Sequence, residues 1–446
     1  MAIETEIKLR ISQSTLALLQ QSKLLKPLED YQWRKLELEN TYFDSPDFDL
    51  ANAKVALRIR KDGDQLIQTL KTKGASVAGL SERNEWDWFI EQPQLDLALL
   101  DGDCWPQQLQ QMDKTNLSGI FTTNFRRLAL ELKLANSQPE CVIEIALDSG
   151  LVKTADASEE ICELELELRS GEPQQLLQLA LQLAQEYPLM PCDISKAERG
   201  YRLLLPNSFD LQVQPAQLHA DTNMDTAVEQ LVGQLLSASQ RLAEQYRHSG
   251  NWKLLERWIE SLIDLRALLS SAGQIIPRKS SSSLRGLLDE LLEDWLPVYQ
   301  TRSEQQVREQ AVTQFAQELE NTRWGRLSLE LALWLQQRSW TSQRNVKAQR
   351  QATAILPRWL QRFLAEELDK LPLQEPQLLE QQQARIERIQ FWLEHGRHLL
   401  EQQQLDELFG TMRKLYQALL AQSAEQFSLY ATQLWQNSAF KQLIKD

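Results

Sequence analysis

Over its first 170 residues the chain repeatedly sets charged side chains two residues apart, with aliphatic residues between them. The sharpest case is Glu163-Leu164-Glu165-Leu166-Glu167-Leu168. Strict alternation over six residues is a strand pattern, because successive side chains of a strand point to opposite faces. Glu163, Glu165 and Glu167 then stand about 7 Å apart along one face. Carboxylates so close repel one another unless water screens them or a cation lies between them. Taken alone, the stretch is accounted for by the wet face of an ordinary antiparallel sheet.

The neighbouring strands change that reading. Residues 3–10 set Glu4, Glu6, Lys8 and Arg10 against Ile3, Ile7 and Leu9, and Leu36–Phe43 reads as a second strand. Val55–Lys61 carries Arg58 and Arg60 opposite Leu57 and Ile59. The Asp62-Gly63 hairpin signal returns the chain through Gln65–Lys73, with Thr69, Lys71 and Lys73 in phase. Ser81–Ile90 sets Arg83, Glu85 and Asp87 against Trp86 and Trp88. Phe125–Leu134 has Arg127 and Glu131 in phase, and Cys141–Leu147 has Glu144, with Asp148 beyond its end. Val152 and Lys153 are expected to start a short return strand. Helices are expected over Ser14–Leu25, within residues 93–119, and from Gln174 to Glu186.

About eight strands therefore carry a charged face, some mainly cationic and others mainly anionic. If such a sheet closes, the charged faces line a polar tunnel and the apolar faces pack outward against helices. A lumen of that kind suits a polyanion bridged by divalent metal. Arginine and lysine grip non-bridging phosphate oxygens, and carboxylates hold Mg²⁺ or Mn²⁺ through oxygen.

The second half differs. Residues 206–217, with Pro206 and Pro215, read as a linker, and residues 218–446 show apolar stripes at helical spacing. A bundle of eight or more helices follows, with most of the 13 tryptophans as core packing. A length of 446 residues calls for more than one core. The net charge of −14, concentrated in the first half, argues against nucleic acid or an anionic membrane as a general partner. Four widely spaced cysteines form neither a metal pattern nor a disulfide scaffold. His395 and His398 are an i, i+3 pair without a third ligand, which reads as a surface pair. The first residues contain no apolar leader and no window is long enough to span a bilayer, so a cytoplasmic location is expected.

Glu4-Thr5-Glu6-Ile7-Lys8 resembles the ExExK signature of the CYTH superfamily, the triphosphate tunnel metalloenzymes. The blocks after it keep the family's order over about 200 residues: Tyr42-Phe43-Asp44, Leu57-Arg58-Ile59-Arg60, Thr69-Leu70-Lys71, Arg83-Asn84-Glu85, Phe125-Arg126-Arg127, Glu144 through Asp148, Glu163-Leu164-Glu165 and Ser195-Lys196. The resemblance implies an α+β chain: an eight-stranded antiparallel tunnel with flanking helices over residues 1–205, then the helical bundle. It implies hydrolysis of inorganic triphosphate to pyrophosphate and phosphate. Lys8, Arg58, Arg60, Lys71, Arg83, Arg127 and Lys196 would bind the phosphates, and Glu85 would assist. Glu4, Glu6, Glu144, Asp148, Glu163, Glu165 and Glu167 would hold two Mg²⁺ or Mn²⁺ ions. Thiamine triphosphatases, nucleoside triphosphatases and class IV adenylyl cyclases use the same tunnel and remain alternatives. The helical half resembles a CHAD domain, as in CYTH–CHAD inorganic triphosphatases, around Arg266, Arg278, Lys279 and Arg285. CHAD domains are associated with polyphosphate binding, but this half is nearly neutral and no histidine adjoins those residues. Arg278, Lys279 and Arg285 form either a small anion patch or a solvated helix end.

Overall fold

The computed structural model describes all residues except 1, 26–31, 73, 78, 135–138, 206–214, 274, 343, 401–404 and 445–446. Lys73 and most of the expected linker, 206–217, thus fall outside the described residues. The chain divides into two compact units, Met1–Gln212 with Gln317–Leu333, and Val213–Ala316 with Trp334–Asp446.

The first unit is built on a closed antiparallel barrel of eight strands: β1 (Ala2–Arg10), β2 (Arg34–Asp44), β3 (Ala56–Asp62), β4 (Gln65–Lys71), β6 (Leu80–Ile90), β7 (Ser118–Leu134), β8 (Cys141–Lys153) and β9 (Ser158–Ser170). The order around the barrel is β1-β9-β8-β7-β2-β3-β4-β6, and pairing of β1 with β6 closes it. Two short strands, β5 (Ala75–Val77) and β10 (Met190–Pro191), add to β6 and β1. The register places the charged positions on one common face. Lys8 lies opposite Glu165, Glu163 opposite Asp148, Asp148 opposite Arg127, and Lys71 opposite Glu85. A one-residue slip in any pair would turn a whole strand's charges outward, so the apolar outer face locks the register.

That outer face is the core. Ile7, Leu9, Ile143, Ile145, Leu164 and Leu166 are fully buried. Helix α3 (Pro173–Glu186) lies against β1 and β9 with Leu176, Leu177, Ala180 and Leu183 turned inward. Its start is set by Pro173 at the first turn and by a capping box between Glu172 and Gln175. Across the barrel, Leu57 and Leu70 pack with Trp86, Trp88, Leu100, Trp105 and Leu109. The last three come from residues 93–119, which form 3₁₀ turns rather than the expected helix. The side chains of Asp96, Asp101 and Asp113 each cap a backbone N–H within two residues, restarting the chain before an α-helix can propagate. Val152 and Lys153 also differ from expectation: they continue β8 as partners of Thr123 and Thr122.

One end of the interior is apolar. Leu38, Tyr42, Phe121, Phe125, Val152 and Ile161 meet there, and α4 (Lys196–Leu204) seats Ala197 among them. Gly200 fits against the Phe121 ring so closely that an added Cβ would stand 2.2 Å from it. Short helices α1 (Gln13–Leu19) and α2 (Asp49–Asn52) complete the surround. Asp44, fully buried, ties α2 to the barrel by accepting from the Leu50 and Ala51 N–H groups and from the Tyr201 hydroxyl.

The second unit is all-α. Met224–Ser249 and Trp252–Ser271 form a hairpin turned by Gly250, whose φ of 64° suits glycine. Trp258, Trp295 and Phe315 interlock edge-to-face with centroids 5.3–5.9 Å apart, the packing role expected of the tryptophans. All four cysteines are free, buried thiols. Arg266 is bound to Glu387 at 2.8 Å, so its charge is spent inside the bundle, whereas Arg278 and Lys279 are exposed. His395 packs against Phe391 with the rings tilted by 44°, and a His398 ring nitrogen lies 3.4 Å from the Leu218 carbonyl. No helix among the described residues is long and apolar enough to cross a membrane.

Candidate active site

The tunnel gathers charges that would be very costly to bury singly, so each wall is explained by what its groups are paired with. The deepest cluster is acidic. Asp148 of β8 and Glu163 and Glu165 of β9 bring one oxygen each within 4.8 Å of one another. Lys196, the first residue of α4, lies between them. Its Nζ is 2.6 Å from Asp148 and 3.0 Å from Glu165, and it also binds Glu163. Arg127 grips Asp148 with two parallel bonds of 2.7 Å and adds Glu165. Arg199, one helical turn after Lys196 and wholly buried, binds the other oxygen of Glu163. Burial pushes the Glu165 carboxyl up, but Lys196, Lys8 and Arg127 outweigh it and hold the group well below the usual range. The Lys196 ammonium is disfavoured by burial and more than rescued by Asp148, Glu163 and Glu165, so its pKa rises.

β1 adds its own pairs. Lys8 bridges Glu6 at 2.8 Å and Glu165 at 3.4 Å. Glu4 receives Lys71 at 2.7 Å, and the same ammonium reaches Glu85 at 3.1 Å. The ExExK residues therefore meet the β9 acids through Lys8, while Glu163 turns the opposite way, toward Arg199.

The facing wall is cationic and under-neutralised. Among the described residues Arg58 has one contact to a carboxylate, Glu85 at 3.8 Å, and its buried Nε has no hydrogen-bond partner. Arg60 Nε donates to Asn40 at 2.9 Å, and no carboxylate lies within ion-pair distance of it among the described residues. Burial and the nearby Arg58 and Arg127 press its pKa down to about 10. Arg83 pairs across the sheet with Glu4 and repels Lys8, with no ion pair of its own among the described residues. Tyr42 reports the same field: burial raises its phenol pKa, yet Arg58, Arg60 and Lys196 bring it below the ordinary value.

Glu144 and Glu167 stand one step farther along the tunnel, opposite each other in register. Arg169 binds both, at 2.9 Å to Glu144, and Arg34 approaches Glu144 at 3.9 Å. Burial, only partly relieved by Arg169, lifts Glu167 to about 7.

Residues 2–201 match the CYTH domain family. An inorganic triphosphatase of Haemophilus influenzae is 34% identical over 199 residues, which are 44% of this chain and 54% of that protein. The chain thus spans about half the length of this curated relative. A solved Hippeastrum protein, a candidate adenylyl cyclase with a dominant triphosphatase activity, is 22% identical with a TM-score of 0.33, covering 44% of this chain and 95% of its own. The PH1012 protein of Pyrococcus horikoshii is 16% identical with a TM-score of 0.26, covering 41% and 88%.

The barrel register sets the strand residues expected from the sequence on one face, and α4 adds Lys196 to it. Sequence reasoning passed over four partners. Arg169 continues the alternation two residues beyond Glu167, and Arg199 follows Lys196 by one turn, so both carried a periodic signal. Asn40 shares its face with Tyr42 but is uncharged. Glu159, which holds Arg10 at 3.3 Å and Arg202 at 2.6 Å, precedes the strict alternation of β9.

Proposed function

We propose that this protein hydrolyses inorganic triphosphate to pyrophosphate and phosphate in the CYTH tunnel. The observation that carries the reading is the imbalance of the two walls. Arg58, Arg60 and Arg83 face the lumen with little or no carboxylate compensation, opposite a wall whose acids are all engaged. Buried cations without anions are costly, and a linear polyanion relieves that cost along its whole length. The similarity to the Haemophilus inorganic triphosphatase supports the choice of substrate.

Three carboxylate oxygens within one ion's reach are a hard donor set that suits Mg²⁺ or Mn²⁺. Asp148, Glu163 and Glu165 would hold the metal, with Glu4 and Glu6 from β1 as further oxygen ligands. Glu144 and Glu167, which Arg169 binds, would add carboxylate oxygens one step farther along the tunnel. When bound, the metal supplies Lewis-acid charge neutralisation and water activation.

The chain's own residues do the rest. Arg58, Arg60, Lys71 and Arg83 grip non-bridging oxygens and hold the substrate straight for in-line attack. Lys8, Arg127 and Lys196 keep Glu165 ionised, so it serves as an oxygen ligand and not as a proton donor. The apolar end formed by Tyr42, Phe121 and α4 excludes bulk water there, which strengthens each charge contact.

The test is phosphate release by the purified full chain from triphosphate, ATP and thiamine triphosphate in parallel, with Mg²⁺ and with Mn²⁺. Fastest turnover of triphosphate is expected. No release from triphosphate with either metal would overturn the proposal.

A further inference from the structure

The arginine wall contains a buried neutral residue with no evident structural task. Asn40, 1% exposed, lies on β2 between Arg60 of β3 and Thr123 of β7 in the barrel register. Its Nδ2 donates to the Thr123 carbonyl at 2.6 Å, and its Oδ1 accepts from Arg60 Nε at 2.9 Å. The direction of the amide is fixed by its neighbours: a backbone carbonyl only accepts and a guanidinium only donates, so oxygen must face Arg60. A third hydrogen bond, from the Asn40 N–H to the Asn124 side chain at 3.2 Å, steadies the backbone at the same point.

Three other arginines are held by carboxylates: Arg127 by Asp148, Arg169 by Glu144 and Arg199 by Glu163. Those partners orient the guanidinium and also cancel its charge. Asn40 orients without cancelling. It occupies Nε alone, leaving both terminal nitrogens of Arg60 without a protein partner among the described residues.

We propose that Asn40 is a positioning residue for Arg60, a neutral clamp that aims the guanidinium fork at the substrate's phosphate oxygens while leaving its full charge available. The inference rests on the reading of the tunnel as a triphosphate site.

The experiment is a double-mutant cycle on the full chain, read as triphosphate affinity by calorimetry in metal-free buffer. Its members are the parent protein, Asn40→Leu, Arg60→Lys and the double variant. Lysine has no Nε for the amide to hold, so the clamp is meaningless in that background. Asn40→Leu is expected to weaken binding about tenfold in the parent and to change little beside Arg60→Lys. Asn40→Asp keeps an acceptor but adds a neutralising charge, and is expected to weaken binding at least as much. Equal losses from Asn40→Leu in both backgrounds would show a general structural role and overturn the proposal, as would unchanged affinity in Asn40→Asp. If Asn40→Leu fails to fold, Asn40→Ser gives the same cycle with a shorter polar side chain. Phosphate release by the parent with metal is measured on the same preparation. A parent that binds triphosphate without hydrolysing it refutes the activity, while the cycle still judges Asn40. A parent that binds none overturns both.

Discussion

Replacing Lys196 by Met tests the electrostatics of the tunnel most directly. The ammonium stands 2.6 Å from Asp148 and 3.0 Å from Glu165 and also binds Glu163. At an effective dielectric constant near 20, each measured contact is about 6 kcal/mol of gross attraction. Most of that is offset by the cost of desolvating the partners. What the substitution exposes is the remainder, three buried carboxylates sharing Arg127, Arg199 and Lys8. Breaking a buried pair by removing one partner costs about 3–5 kcal/mol. For a unit of this size, that lowers the unfolding midpoint by about 6–20 °C. Methionine fills nearly the same volume, so little of the loss comes from packing. The assay is thermal unfolding of the parent and Lys196→Met in chelator, then with increasing Mn²⁺. A divalent ion at a hundred times its Kd should restore about 2.7 kcal/mol, and more strongly in the variant, where no ammonium competes for the oxygens. A variant within about 1 kcal/mol of the parent in chelator, or one that Mn²⁺ does not rescue, would refute the reasoning.

Other outcomes follow from the same geometry. Glu165→Gln and Arg60→Ala should each lower kcat/KM for triphosphate by about 10- to 150-fold, the worth of a hydrogen bond to a charged group, and intact turnover in either would contradict the tunnel assignment. In metal-free buffer the unfolding midpoint should rise as pH falls from 8 toward 5. Glu167, with a folded pKa near 7, is above its unfolded value, so its protonation favours the folded state over that window. Below about pH 4 the midpoint should drop, because Glu159 and Glu165 are held below their unfolded values and lose that stability when protonated. Glu167→Gln should flatten the upper limb and leave the lower one. Gly200→Ala should cost about 1–3 kcal/mol by driving a methyl into Phe121, whereas Gly286→Ala, in open space on a helix, should be neutral or stabilising by about 0.5–1 kcal/mol; equal melting of the two variants would refute the packing argument.

The alternation of Glu163–Leu168, Arg58–Arg60 and Glu4–Lys8 was enough to define the strands and their charged faces, since period 2 leaves one assignment of side chains to faces. Apolar residues on the opposite positions then required helices and turns outside the barrel. The hairpin at Asp62-Gly63 joined β3 to β4. These are local properties, fixed by residues a few positions apart. Residues 93–119 mark the limit even of local reading, because side-chain caps divided them into 3₁₀ turns.

Partner choice was decided only by the closed barrel. Glu163 and Glu165 are two residues apart and share Lys196, yet one adds Arg199 and the other adds Lys8 and Arg127. Glu144 and Glu167 look like Glu163 and Glu165 as letters, but register places them beside Arg169. Asn40, silent in any charge pattern, became a clamp because β2 lies between β3 and β7. A sequence lists charges along a line. Which charge cancels which depends on distances of a few ångströms between residues as far apart in sequence as Lys8 and Glu165, and closure of the barrel sets those distances.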